Sequence, residues 1–170
     1  MLALALAVTR RDASSATGLL DDALELRGDL YRFIAAAGRD HHLAEDIVQE
    51  TMLRAQRERK PVRDARAWCF TVALNLLRSH LRRRRWLPLR AADSVEGWEF
   101  VERHVTRDAV HRALATLRPE QRTALLLHTV AGFAHAEIAA MLGISEPAAR
   151  QRVHRAREAF VRAYAIRDLP

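Results

Sequence analysis

EIAAMLGISEPAARQRVHRAR, running from Glu137 to Arg157, reads as a helix, a tight turn and a second, basic helix. Ile138 and Leu142 stand at i, i+4 on the first helix. Gly143 follows at once, where a helix end favours a left-handed residue. Ile144 is placed to plug the angle between the two helices. Ser145 offers its side-chain oxygen to the free amides of the next helix as an N-cap. Pro147 falls in that helix's first turn, where a missing N–H costs little. Ala149, Val153, Ala156 and Phe160 then repeat as one apolar face. The opposite face carries Arg150, Gln151, His154, Arg155 and Arg157. Arginine matches guanine and glutamine matches adenine in the major groove, each good bidentate pair giving about 1–3 kcal/mol of discrimination. This is the layout of a DNA-reading helix-turn-helix. An ordinary amphipathic hairpin with a solvated basic face would share the charge. It has no reason to combine a turn glycine, a capping serine and polar readers early in the second helix.

Composition agrees with a polyanionic partner. The chain has 170 residues and a formal net charge of +7. Lys60 is the sole lysine, so the positive charge is nearly all arginine. Arginine suits phosphate and base edges, although genome base composition produces the same bias. For a helical chain a basic balance points to nucleic acid more than to a membrane surface. Cys69 is the only cysteine, which excludes an internal disulfide and fits a reducing cytosol. It lies in Trp68-Cys69-Phe70 and reads as a buried, inert thiol. Met1 to Val8 is apolar but too short to span a bilayer. It also lacks the features of a signal peptide, so it reads as a frayed tail or as an early-assigned start. The scattered histidines lack metal-ligand spacing, and no phosphate loop or nucleophile motif appears. The expectation is a cytoplasmic protein with no cofactor, no metal and no catalysis of its own.

The periodicity predicts an all-α chain of two small helical domains joined by a flexible linker. Residues 1–22 are expected to be a disordered tail, 23–86 the first domain, 87–105 an acidic linker and 106–165 the second domain. Leu26, Leu30, Phe33 and Ile34 mark a first helix ending near Gly38. Leu43, Ile47, Val48 and Met52 mark a second, ending before Pro61. A third, from about Asp64 to Arg85, is apolar almost all round and so central to its domain. It finishes in Arg82-Arg83-Arg84-Arg85-Trp86, and Pro88 stops it. The linker carries Asp93, Glu96, Glu99 and Glu102. Val110, Ala113, Leu114 and Leu117 then share a face, and Pro119 opens the next helix. Each domain has about 60 residues, which makes each core small. Burying Ile138, Leu142, Val153 or Phe160 should stabilise by roughly 1.5–3 kcal/mol apiece.

Three features of the first domain are hard to explain by packing. Asp46, Gln49 and Glu50 share one polar face at i, i+3, i+4. Arg59, Lys60 and Arg63 form a basic loop around Pro61, within the stretch Arg57 to Arg66. Asn75 interrupts an otherwise apolar helix, with Arg78, Arg82 and Arg83 beyond it. A buried asparagine needs partners, whereas an exposed one beside arginines is placed to receive a base.

The segments AEDIVQETMLRA, RAWCFTVALNLLRSHLRRRR, LRPEQRTALLLHTVAGFAHAEIAAMLGIS and ARQRVHRAR, in this order, resemble the extracytoplasmic-function (ECF) group of bacterial sigma factors. The resemblance covers about Asp29 to Arg157. It implies a protein that binds core RNA polymerase and directs promoter recognition, DNA melting and initiation. Asp46, Gln49 and Glu50 would then dock on the β′ clamp helices, and the polymerase β flap is a further implied contact. Arg59, Lys60, Arg63 and Asn75 would capture an unstacked base of the melted non-template strand at the −10 element. Extraction of a base costs a few kcal/mol, which polar readers and aromatic walls offset. Trp68 matches the family's tryptophan here, with core packing an equal account of it. Arg78, Arg82 and Arg83, with Arg84, would hold duplex phosphates, and Arg150, Gln151, His154 and Arg155 would read the −35 element. Family members are commonly held by an anti-sigma protein, so such a partner is implied too.

The departures from the family pattern also point somewhere. His128 replaces an arginine, His135-Ala136 replaces Tyr-Glu, and Pro147-Ala148 replaces Gly-Thr at the start of the reading helix. Gln56 stands where tryptophan is frequent. Phosphate anchoring by the second domain, through His128 and His135, would then be weaker or depend partly on histidine protonation. The alternative is a conventional helix-turn-helix regulator, which has no need of the Asp46/Gln49/Glu50 patch. An enzyme acting on nucleic acid would need clustered carboxylates or a metal site, and neither is found in the sequence.

Overall fold

The computed structural model describes residues 18–86 and 104–165, with side chains over 18–83 and 109–165. Residues 1–17, most of the expected tail, and 87–103, most of the expected linker, lie outside this description. The described residues form eight helices: α1 (Leu19–Glu25), α2 (Arg27–Gly38), α3 (His41–Arg57), α4 (Ala65–Trp86), α5 (His104–Thr116), α6 (Pro119–Thr129), α7 (His135–Leu142) and α8 (Glu146–Ala165).

Local chemistry sets most of the boundaries. The Asp40 carboxylate accepts from the Leu43 amide at 2.9 Å and caps α3. Asp64 caps α4 in the same way, accepting from the Ala67 amide at 2.8 Å. Pro119 occupies the first turn of α6, where it costs no hydrogen bond. Gly143 ends α7 at φ 66, ψ 39, the left-handed conformation expected of it. Ser145 caps α8 through a long hydrogen bond, its Oγ accepting from the Ala148 amide at 3.4 Å.

One boundary differs from the sequence reading. The tail was expected to reach residue 22, yet Leu19–Glu25 is helical and seats Ala23 in the core. α2 ends at Gly38, as expected, and Arg39 follows it in the left-handed conformation at φ 59, ψ 37. A non-glycine residue there costs roughly 1–2 kcal/mol.

α4 packs against α1, α2 and α3, as its all-round apolar character requires. In the second set, α8 packs against α5, α6 and α7. The two sets also meet each other, α2 against α6 and α4 against α7. Phe33, Phe70 and Phe133 form a continuous run of rings across that boundary. Phe33 and Phe70 are 5.4 Å apart and tilted; Phe70 and Phe133 are 5.2 Å apart, edge to face. Where two separate small cores were expected, the buried side chains form one cluster. Ile138 and Val153 are buried within it, whereas Leu142 and Phe160 are half-buried against its edge. The last two therefore contribute less than full burial would give.

Cys69 is fully buried on α4. Burial pushes its thiol up from 9.0 to about 12, with smaller contributions from the Asp22 and Asp64 charges. The folded value lies above the unfolded one, so the native state is favoured at neutral pH and loses this contribution as pH rises from 9 towards about 12. Native protein at pH 8 should therefore leave a thiol reagent such as DTNB unreacted, and urea should release one fast equivalent. Fast reaction of the native protein would place Cys69 at the surface.

Candidate nucleic-acid interface

The first turns of α8 present a shallow, open groove lined by Glu146, Pro147, Arg150, Gln151 and His154. Burial of Ala149, Val153 and Ala156 against the body fixes the rotation of the helix. That rotation turns Arg150, Gln151, His154 and Arg155 outward, all exposed. The Arg150 guanidinium donates to the Glu146 carboxylate at 3.0 Å, one turn back. His154 stands 3.7 Å from the Glu158 carboxylate. Both pairs are exposed, so each is a weak restraint that a stronger acceptor can displace.

Beside the groove, α7 begins with half a capping box: the Glu137 carboxylate accepts from the Ala134 amide at 2.7 Å. His135 stacks on His128, with ring centroids 4.7 Å apart. His128 Nδ1 is 3.0 Å from the Phe133 carbonyl oxygen, so in neutral His128 that nitrogen carries the proton and donates. The two substituted histidines thus form one half-buried pair.

On α4, Asn75 is exposed, as are Arg82 and Arg83. Arg82 donates to the Ser79 hydroxyl at 3.2 Å. Trp68 is half-buried and packs on the core. The loop before α4 holds Arg59, Lys60 and Arg63 in the open, with the Arg59 and Lys60 amides both donating to the Glu58 carboxylate at 3.0 Å. On α3, Asp46 and Gln49 are exposed. Glu50, one turn on, accepts from Arg54 Nε at 2.7 Å. The structure therefore keeps these residues in three patches: the acidic face of α3, the basic loop with α4, and the start of α8.

Residues 23–87 match the family model of Sigma-70 region 2, and residues 107–160 match that of Sigma-70, region 4. The ECF RNA polymerase sigma factor EcfG of Rhodopseudomonas palustris (strain TIE-1) is 33% identical over 146 residues, spanning 82% of this chain and 81% of EcfG. The chain belongs to the ECF sigma factors. Mycobacterium tuberculosis (strain ATCC 25618 / H37Rv) SigJ, also an ECF RNA polymerase sigma factor, is 40% identical over 129 residues, 68% of this chain. This sigma factor spans only 41% of SigJ's length. In fold it is similar to the Bartonella quintana sigma factor RpoE, solved in complex with the anti-sigma factor NepR. The TM-score is 0.67 at 22% identity, over 86% of this chain and 96% of that one. The region 2 match, in order before region 4, sets the sigma factor apart from a conventional helix-turn-helix regulator. Among the described residues no helix is long and apolar enough to cross a membrane, and no group of three His, Cys, Asp or Glu is placed to hold a metal ion.

The sequence reading of this sigma factor missed the contacts between its two halves. Arg122 is buried at 7% exposure. Its Nε donates to the Ala37 carbonyl of α2 at 3.0 Å and its Nη1 to the Leu114 carbonyl of α5 at 3.4 Å. The Arg66 guanidinium lies over the Phe133 ring, 4.3 Å from its centroid. Arg78 donates through Nη1 to the Met141 carbonyl of α7 at 3.4 Å. Burial lowers the pKa of both Arg122 and Arg78 from the ordinary arginine value. Neighbouring arginines add to this, Arg39 at Arg122, and Arg152 and Arg82 at Arg78. Nothing in local sequence marks these arginines out from their exposed neighbours.

Proposed function

We propose that this chain works as the promoter-directing subunit of RNA polymerase in the cytoplasm, with residues 23–86 and 106–165 as its two working halves. The observation that carries this reading is the separation of an exposed acidic face on α3 from two exposed basic faces on α4 and α8. A polymerase-bound DNA reader needs both kinds of surface. Asp46, Gln49 and Glu50 dock on the β′ clamp helices of core polymerase, and the second half meets the β flap. Arg59, Lys60, Arg63 and Asn75 capture a base of the melted non-template strand at the −10 element, with Trp68 as a wall of that site. The exposure of Asn75 supports this role, since it leaves the amide free to bond a base edge. Arg78, Arg82 and Arg83 hold phosphates of the adjoining duplex. Arg150, Gln151, His154 and Arg155 read the −35 element, and the stacked His128–His135 pair contacts phosphate beside it. An anti-sigma protein is the regulatory partner, as in the RpoE–NepR complex.

Reconstitution tests the whole reading. Purified protein is added to core polymerase and to promoters found by mapping transcription starts after overexpression. Specific run-off transcripts are the expected result. Tight DNA binding without polymerase, and no start by core enzyme, would favour the conventional regulator instead.

Arg150→Ala is expected to flatten base preference at one or two positions of the upstream element by about 1–3 kcal/mol. Binding to the remaining positions should keep its ranking. A uniform loss on every sequence would show that Arg150 touches phosphate alone.

A further inference from the structure

The reading helix of the second half begins with a carboxylate. Glu146 is the first residue of α8 and is exposed. It lines the same groove as Pro147, Arg150, Gln151 and His154. A helix-turn-helix brings the N-terminal residues of its second helix to base edges, so Glu146 leads α8 into the DNA. Every phosphate it approaches there repels it. A surface built for charge attraction alone would not carry it.

The backbone at this end of α8 is equally unsuited to phosphate. Helix N-termini hold phosphate through their first amides. Pro147 supplies no N–H. The Ala148 amide donates to Ser145 Oγ at 3.4 Å, and the Ala149 amide to the Ser145 carbonyl at 2.9 Å. The remaining amide of the turn is that of Glu146 itself, beside its own negative charge. The leading end of α8 is therefore made to accept hydrogen bonds rather than to donate them.

In the major groove the donors on base edges are the amino groups of cytosine and adenine. Adenine sets its N7 acceptor beside N6, and that lone pair repels a carboxylate. Cytosine presents N4 alone, whereas guanine and thymine present acceptors. Cytosine is thus the base whose edge a single carboxylate fits. Arg150 complements it, donating through Nη2 to the Glu146 carboxylate at 3.0 Å. A guanidinium has five donors and a carboxylate about four lone-pair sites. The two side chains can stay joined while Arg150 donates to guanine and Glu146 accepts from cytosine.

We propose that Glu146 is a specificity-determining residue of the −35 contact, accepting from the N4 amino group of a cytosine next to the base that Arg150 reads. This rests on the proposed assignment of α8 to the −35 element. A purely structural Glu146 would steady the first turn of α8 through the helix dipole and the Arg150 pair. That role confers no base preference.

The test uses holoenzyme reconstituted from the full chain and core polymerase, on promoters randomised through the −35 element, with the bound DNA sequenced. Wild type should favour cytosine at one position by about fivefold or more. Glu146→Ala should erase that preference and raise binding of promoters with guanine or thymine there. Glu146→Gln should move the preference to adenine, whose N6 and N7 match a glutamine. Thermal melting checks that both variants fold. Arg150→Ala, run beside them, should flatten a neighbouring position instead. The proposal is overturned if wild type shows no cytosine preference, or if Glu146→Ala leaves the ranking of bases unchanged. A uniform gain on every sequence also overturns it, making Glu146 a phosphate-repelling group alone. Loss confined to the position that Arg150→Ala flattens overturns direct reading and makes Glu146 a positioning residue for Arg150. If Arg150→Ala too leaves every ranking unchanged, the assignment of α8 to the −35 element has itself failed.

Discussion

Phe70→Ala is expected to lower unfolding free energy by about 3–5 kcal/mol, the range for removing a buried aromatic side chain. Phe70 is fully buried and touches two further rings, Phe33 of α2 and Phe133 ahead of α7. A chain of this size has a total stability of roughly 5–15 kcal/mol, so the loss is about a fifth of the whole or more. The midpoint of thermal unfolding should fall by roughly 10–20 °C. The same residue joins the two halves, so both should weaken together. Hydrogen exchange is the decisive readout: amides of α2 and α6 should lose protection in parallel. Loss confined to α1 to α4 would show that the halves fold separately. Val161→Ala, at 54% exposure on α8, should stay within about 0.5 kcal/mol of wild type. A shift as large as that of Phe70→Ala would implicate a general defect rather than the ring contact.

What was legible in the sequence follows one physical line. Features written in backbone geometry could be read directly. Gly143, Ser145 and Pro147 each demand a particular place at a helix end, and together they located α7 and α8. The apolar period of α3 and the nearly all-round apolar character of α4 did the same for the first half. Features written in tertiary contact could not be read. Arg122 stands among polar residues of α6 and looks like a solvated cation; only the approach of α2 buries it. Phe133 follows a glycine in a short connection, with no period to say what it packs on. Arg39 closes α2 in the left-handed conformation, which an arginine does not announce in sequence as a glycine would. The site divides in the same way. Exposure of Arg150, Gln151, His154 and Arg155 follows from the buried face of their helix. The engagement of Arg78 by a carbonyl of α7 depends on how two sets of helices meet.

Glu50→Arg is expected to weaken binding to core polymerase by about 30-fold or more. The number comes from what charge reversal does at a desolvated contact, typically 2–5 kcal/mol, with each 1.4 kcal/mol worth a factor of ten. The fold should hardly notice. Glu50 and Arg54 form an exposed i, i+4 pair at 2.7 Å, with 40% and 48% of their side chains accessible. Such pairs contribute about 0.3–0.5 kcal/mol, and a like-charge pair in their place costs a similar amount. A large loss of affinity with a nearly unchanged melting curve therefore separates an interface from a scaffold. Net charge is the competing explanation, since any Glu→Arg change makes an already basic protein more basic and alters its steering towards a charged partner. Glu120→Arg on α6, also exposed, carries the same change in net charge to another face. If Glu50→Arg acts by contact, Glu120→Arg leaves the affinity near wild type. The defect should then lie in faster dissociation and persist at high salt. If it acts by steering, both variants lose association rate alike, and raising the salt erases the difference. Wild-type affinity in the Glu50→Arg protein would move the polymerase contact off this face of α3 altogether.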